Sequence, residues 1–126
     1  MNNYLWLDSY CLSFPGAVKD FKEEWNATRY QVGEKMFAMQ GEDNTGRSII
    51  TLKLEPSNGD FLRTSYKDVI PGYYMNKLHW NSVYLDGEVP EDVLRDMIAE
   101  SYTIVFESLT KKMRVQIQEN VEKRGI

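Results

Sequence analysis

The last third of the chain sets the strongest constraint on its fold. Leu94, Ile98, Tyr102, Val105 and Leu109 recur at spacings of three and four, flanked by Val93, Met97 and Phe106. Apolar residues at that period lie along one side of a helix. A stripe this long needs an apolar surface to bury it. Pro90 suits a helix start, and Glu91 and Asp92 suit the positive end of the macrodipole. Thr110 is a candidate cap for a final helix, with Met113, Ile117 and Val121 as its apolar face and Gly125 as its stop. Lys111 and Lys112 are unfavourable in a first turn, so one bent helix over residues 91–124 is the alternative.

The surface that would receive the stripe lies upstream, in short alternating runs. Residues 20–25 place Phe21, Glu23 and Trp25 together. Asn26-Ala27 reads as a tight turn. Residues 28–32 alternate again, Gly33-Glu34 breaks the run, and residues 35–40 form a third strand. A polar loop over residues 41–46 leads to a fourth strand, 48–54, with Ile50, Leu52 and Leu54 on one side. That loop lacks the ligand spacing and closing Glu of a calcium loop. Before the strands, residues 3–12 read as a helix with Tyr4, Leu5, Asp8, Cys11 and Leu12 along one side, ended by Pro15-Gly16. After them, Pro56-Ser57-Asn58-Gly59 is a turn, and residues 58–66 have helical spacing.

Residues 66–87 hold four of the eight tyrosines, one of the three tryptophans and the only histidine. Pro71-Gly72 and Asp86-Gly87 mark turns, and residues 79–86 read as a strand. One side carries Trp80, Ser82 and Tyr84; the other carries His79, Asn81, Val83 and Leu85. The order is helix, four strands, short helix, strand, then one or two helices. This predicts an α+β fold: a two-layer, antiparallel five-stranded sheet with helices packed on one side.

A chain of 126 residues is expected to be one domain over residues 1–126 and can bury a core without staples. The single Cys11 excludes an internal disulfide framework and points to a reducing compartment, so the expected location is cytoplasmic. No apolar run approaches the ~18 residues that span a membrane. The net charge of −4 counts against strong nucleic-acid binding without excluding a local basic patch.

The residues also resemble a known family. Ser13-Phe14-Pro15-Gly16, Gly33-Glu34-Lys35-Met36-Phe37-Ala38, Leu52-Lys53-Leu54 and Ser101-Tyr102 are part of the likeness. Its strongest part runs from Met75-Asn76-Lys77-Leu78-His79-Trp80-Asn81 through Ser82-Val83-Tyr84-Leu85-Asp86-Gly87. Together they are similar to the MmcQ/YjbR-like family of small bacterial proteins, over roughly residues 3–115. The resemblance implies an α+β fold related to frataxin-like and secretion-chaperone-like folds. Family members are commonly labelled DNA-binding, through a double-wing arrangement of strand hairpins. Likeness of fold does not carry function, and no set of catalytic residues comes with it.

No catalytic, cofactor or metal motif occurs in the chain. Histidine suits general-base work, but His79 has no Asp, Ser or Cys beside it and reads as a structural residue. One His and one Cys are too few soft ligands for zinc. Asp20, Glu23 and Glu24 read as a solvated acidic edge. Trp80 and Tyr84 suit either base stacking or packing under a helix. Arg29, Lys35, Arg47 and Lys53 are expected to converge on one side of the sheet if strands two to four are neighbours.

The resulting expectation is a non-enzymatic binding protein without a cofactor. The resemblance implies DNA, held weakly and in a salt-sensitive way. The candidate contacts are Lys35, Lys53, Tyr73, Tyr74, Asn76, Lys77, His79 and Trp80. The alternative is a protein-interaction module or small homodimer that uses the sheet face or the aromatic loop, with no nucleic-acid role.

Overall fold

The computed structural model describes residues 5–72 and 76–123. Helix α1 (Leu5–Leu12) leads into β1 (Val18–Lys22), β2 (Ala27–Val32), β3 (Lys35–Glu42) and β4 (Ser48–Lys53). Helix α2 (Pro56–Ser65) follows, then β5 (Val69–Pro71), β6 (Trp80–Tyr84), α3 (Glu91–Glu107) and α4 (Lys111–Lys123). The strands form one antiparallel sheet in the order β1-β2-β3-β4-β6-β5. The α+β layering matches the sequence reading. The sheet has six strands instead of five because Val69–Pro71 adds a three-residue edge beside β6.

The register separates two faces. Tyr30, Ala38, Leu52 and Asn81 oppose one another across four strands, and Ile50 opposes Val83. This side joins Leu7 and Cys11 of α1, Leu62 of α2 and the α3 stripe in one core cluster. Leu109, Met113 and Ile117 extend the cluster into α4. The second side carries the row Asp20, Arg29, Met39, Thr51, Ser82 and Ile70. The described α-helices pack on the first side, and only the short turn Glu23–Trp25 borders the second.

In α3 the buried residues are Leu94, Met97, Ile98, Ser101, Tyr102 and Val105, the 3.6-residue pattern that defines one face. The helix ends at Glu107, and α4 begins after Thr110, whose hydroxyl accepts the Met113 N–H at 3.2 Å. Two helices therefore form, with Thr110 as the cap. The carboxylate of Glu100 in α3 reaches the start of α2, accepting from Glu55 N–H at 2.9 Å and Asn58 Nδ2 at 2.5 Å.

Three local expectations change. In α1 the buried pair is Leu7 and Cys11, while Leu5 is exposed. The apolar face is thus rotated away from Leu5. Strand β1 stops at Lys22, and Glu23–Trp25 turns as a 3-10 helix closed by Asn26 at φ 49°. Trp25 is consequently aimed by a turn and does not continue the alternation of β1. In β3 the register slips at Tyr30/Gln31: Tyr30 opposes Ala38, but Gln31 opposes Met36. Phe37 is the extra residue of a β-bulge.

The bulge explains the Ser101-Tyr102 pair. Ser101 Oγ, fully buried, donates to the Phe37 carbonyl and accepts the Lys53 N–H. It supplies hydrogen bonds where the ladder is interrupted. Tyr102 donates its hydroxyl to the Pro15 carbonyl at 2.7 Å and stacks on Phe14 at 4.7 Å between centroids. Phe37 meets the Tyr102 ring edge-on at 5.4 Å. Motifs distant in sequence are therefore one packing unit under the first turn of the chain.

Candidate functional site

The helix-free face is where cationic and aromatic side chains meet. Lys53 opposes Trp80, and its ammonium lies 6.0 Å from the Trp80 ring centroid. Both side chains are half-buried. Among the described residues no carboxylate comes within 4 Å of Lys53. Trp80 therefore stands on the face opposite the helices, not under one. On the same face, Trp25 has Lys22 at 5.6 Å and Arg29 at 5.8 Å from its ring. Trp25 lines a cavity of about 380 Å³ together with Ala27, Gly41, Met39, Ile49, Glu24 and Glu42.

The expected convergence of four cations occurs for three. Arg29, Arg47 and Lys53 share this face, but Lys35 does not. Strict alternation counted back from Ala38 would put Lys35 beside Arg29. The bulge at Phe37 inverts the alternation. Lys35 instead opposes Val32, whose side chain is in the core, and it sits exposed on the helix side at the hairpin end.

Two of the three cations are already neutralised. Arg29 makes two hydrogen bonds to Asp20, at 2.9 and 2.5 Å. These contacts hold the Asp20 carboxyl below its ordinary range. Arg47 donates twice to Asp86, at 3.2 and 2.7 Å, and lies over Tyr84 at 3.6 Å. Lys22 lies 3.7 Å from Glu24. Asp20 and Glu24 of the acidic run thus face cations.

The remaining candidates gather at the Lys53 end. Asn76 accepts from Leu78 N–H through its side chain at 2.8 Å and from Trp80 N–H through its carbonyl at 3.0 Å. Lys77 is exposed and donates to the Gly72 carbonyl at 3.1 Å. His79 lies in the turn before β6, and its carbonyl accepts from Leu54 N–H at 2.8 Å. Asn76, Lys77 and His79 thereby shape the turn that delivers Trp80 to the sheet. Tyr73 and Tyr74 lie outside the described residues.

The end of the motif has a different task. Asp43 Oδ1 accepts from Thr45 N–H, the Thr45 hydroxyl and Arg47 N–H, while Oδ2 accepts from the Tyr84 hydroxyl at 3.0 Å. These bonds, led by the Thr45 hydroxyl, pull the Asp43 pKa from 3.8 to about 2. Asp68 accepts from Glu88 N–H at 2.9 Å, and a Cβ on Gly87 would overlap its carboxylate. Tyr84, Asp86 and Gly87 thus fix one end of the sheet.

Sequence reasoning did not find Trp25 and Lys22 as neighbours of the face. The available signal was Asn26, a residue that tolerates the left-handed conformation and so permits the turn. Cys11 is buried as expected, and loss of solvation pushes its thiol up to about 12. Among the described residues, no group of three or more His, Cys, Asp or Glu side chains is placed to hold a metal ion. Nor is any described helix long and apolar enough to cross a membrane.

The chain is similar to known proteins. The family model YjbR matches residues 12–104. The uncharacterised protein YjbR of Escherichia coli K12 is 34% identical over 105 residues, 83% of this chain and 88% of its own. The uncharacterised protein YbdF of Escherichia coli O157:H7 is 35% identical over 89 residues, 71% of this chain and 72% of its own. A crystal structure of the Deinococcus radiodurans protein DR2400, family-model domain DUF419, superposes with a TM-score of 0.80 at 30% identity. That match covers 89% of this chain and 85% of the other. The family model and the sequence relatives agree: the chain belongs to the YjbR family.

Proposed function

We propose that this protein is a non-enzymatic DNA-binding protein that works through the helix-free face of its sheet. The observation that carries the reading is the Lys53–Trp80 pair: an ammonium without a carboxylate partner beside a half-buried indole. Such a pair offers a phosphate contact and a stacking surface to the same nucleotide. Lys77 and His79 border it, and Lys22, Arg29 and Trp25 extend it toward β1. Because Arg29, Arg47 and Lys22 already face carboxylates, the reading predicts weak binding with few phosphates neutralised. A cytoplasmic setting belongs to the same reading.

The test is titration of fluorescent mixed-sequence DNA, single-stranded and duplex, at about 50 and 200 mM salt. Saturable binding is expected, with a log–log salt slope of about −1 to −2, equivalent to one or two phosphates. Lys53→Ala and Trp80→Ala should each weaken it, and Lys35→Ala should not. No binding of either form at low salt would remove DNA as the ligand.

A further inference from the structure

The two edges of the sheet are unlike. On the β5 side the last strand has three residues and ends in Pro71, which has no N–H to offer. On the other side β1 is five residues long, and no described strand lies beyond it. Four of its residues are exposed, among them Val18 and Phe21, each with 57% of its surface in solvent. Trp25 adds 53% exposure in the turn that follows. An edge that no strand covers and that exposes apolar residues can template another strand when the facing charges complement its own.

We propose that the occupant of this edge is a second copy of the chain, paired antiparallel through β1 about a two-fold axis at Phe21. The charge pattern selects that register. A two-fold axis normal to the sheet keeps each face on its own side, so the axis must pass through a residue. Centred on Asp20, the pairing sets two carboxylates against each other. Centred on Lys19, it sets two ammonium groups together. Centred on Phe21, it opposes Asp20 to Lys22 twice, with the two phenyl rings at the centre, and brings Lys19 to the start of the turn at Glu23. An ion pair made twice and an aromatic pair favour this arrangement, whereas centres at Lys19, Asp20 or Lys22 oppose like charges and a centre at Val18 pairs no other residue of the strand. The inference does not depend on DNA binding. It would join two helix-free faces into one continuous surface.

The test combines sedimentation with disulfide trapping on the whole chain. The wild type should pass from monomer to dimer as concentration rises from micromolar to millimolar. Directly opposed residues of an antiparallel pair have Cα atoms about 4.5–5.5 Å apart, within disulfide reach. Phe21→Cys should therefore form a covalent dimer under mild oxidant. Val18→Cys should not, because its own mate lies six residues along, about 20 Å away. Cys11 does not compete, since it is fully buried. Phe21→Lys should weaken association by about tenfold while leaving the unfolding transition in place. A monomer at every concentration would overturn the proposal. So would equal trapping of both cysteine variants, or a Phe21→Lys variant that associates as the wild type does.

Discussion

Ser101 on α3 hydrogen-bonds the Phe37 carbonyl at 2.5 Å, at the bulge where β3 leaves its register with β2. The same oxygen accepts the Lys53 N–H at 2.8 Å, so one hydroxyl serves two backbone groups on neighbouring strands. Ser101→Ala would remove both partners in a site without solvent. Leaving such groups unpaired is expected to cost about 2 kcal/mol, read as a lower urea midpoint with an unchanged slope. An unchanged midpoint would mean that the bulge is satisfied in another way.

Gly87 is constrained by a neighbour, not by its own dihedral angles. A methyl group there would collide with the Asp68 carboxylate that accepts the Glu88 N–H. Gly87→Ala should destabilise by about 1–3 kcal/mol, as other overpacked sites do. Combined with Asp68→Ala, the loss should be smaller than the sum of the two single losses, because the second change removes what the first strikes. Strict additivity in a double-mutant cycle would count against the collision.

Acid should act through Asp43. Its folded pKa of about 2 lies below the ordinary 3.8, so its ionised form is favoured by folding. The associated stability is fully present above about pH 4 and is lost as pH falls toward 2. Unfolding of wild type and Asp43→Asn followed from pH 7 to pH 2 should show a stability gap that narrows over that window. A gap independent of pH would show that the Asp43 bonds matter without their charge.

Glu100 joins α3 to the first turn of α2, which has no side-chain cap of its own. Glu100→Ala should cost about 1 kcal/mol, comparable to loss of an N-cap. Hydrogen exchange should report it first at the amides of residues 55 and 57–59. Uniform loss of protection across the sheet would instead indicate a global role.

Much of the fold is legible in the sequence because periodicity and burial coincide. The α3 stripe, the Tyr30/Val32 side of β2 and the inward Val83 and Leu85 all follow the chain's own pattern. Strand β5 escapes because three residues are too few to alternate, and its pairing with β6 defines it. The site is harder to read for a related reason. Lys53 and Trp80 meet across strands as their alternation predicts. Lys35 departs because one extra residue, Phe37, reverses the sides, and nothing local in residues 35–42 announces a bulge that depends on Ser101 over sixty residues away. Trp25 departs because a short turn re-aims it after the alternation has ended.

Pro71 has a consequence for how large an assembly of this protein can become. A sheet with two receptive borders would add copies indefinitely and grow into a fibre. Here one border ends in an imino acid and the other is receptive. Once two β1 strands have met, neither partner has a second receptive edge to extend, so growth by strand addition halts at a pair.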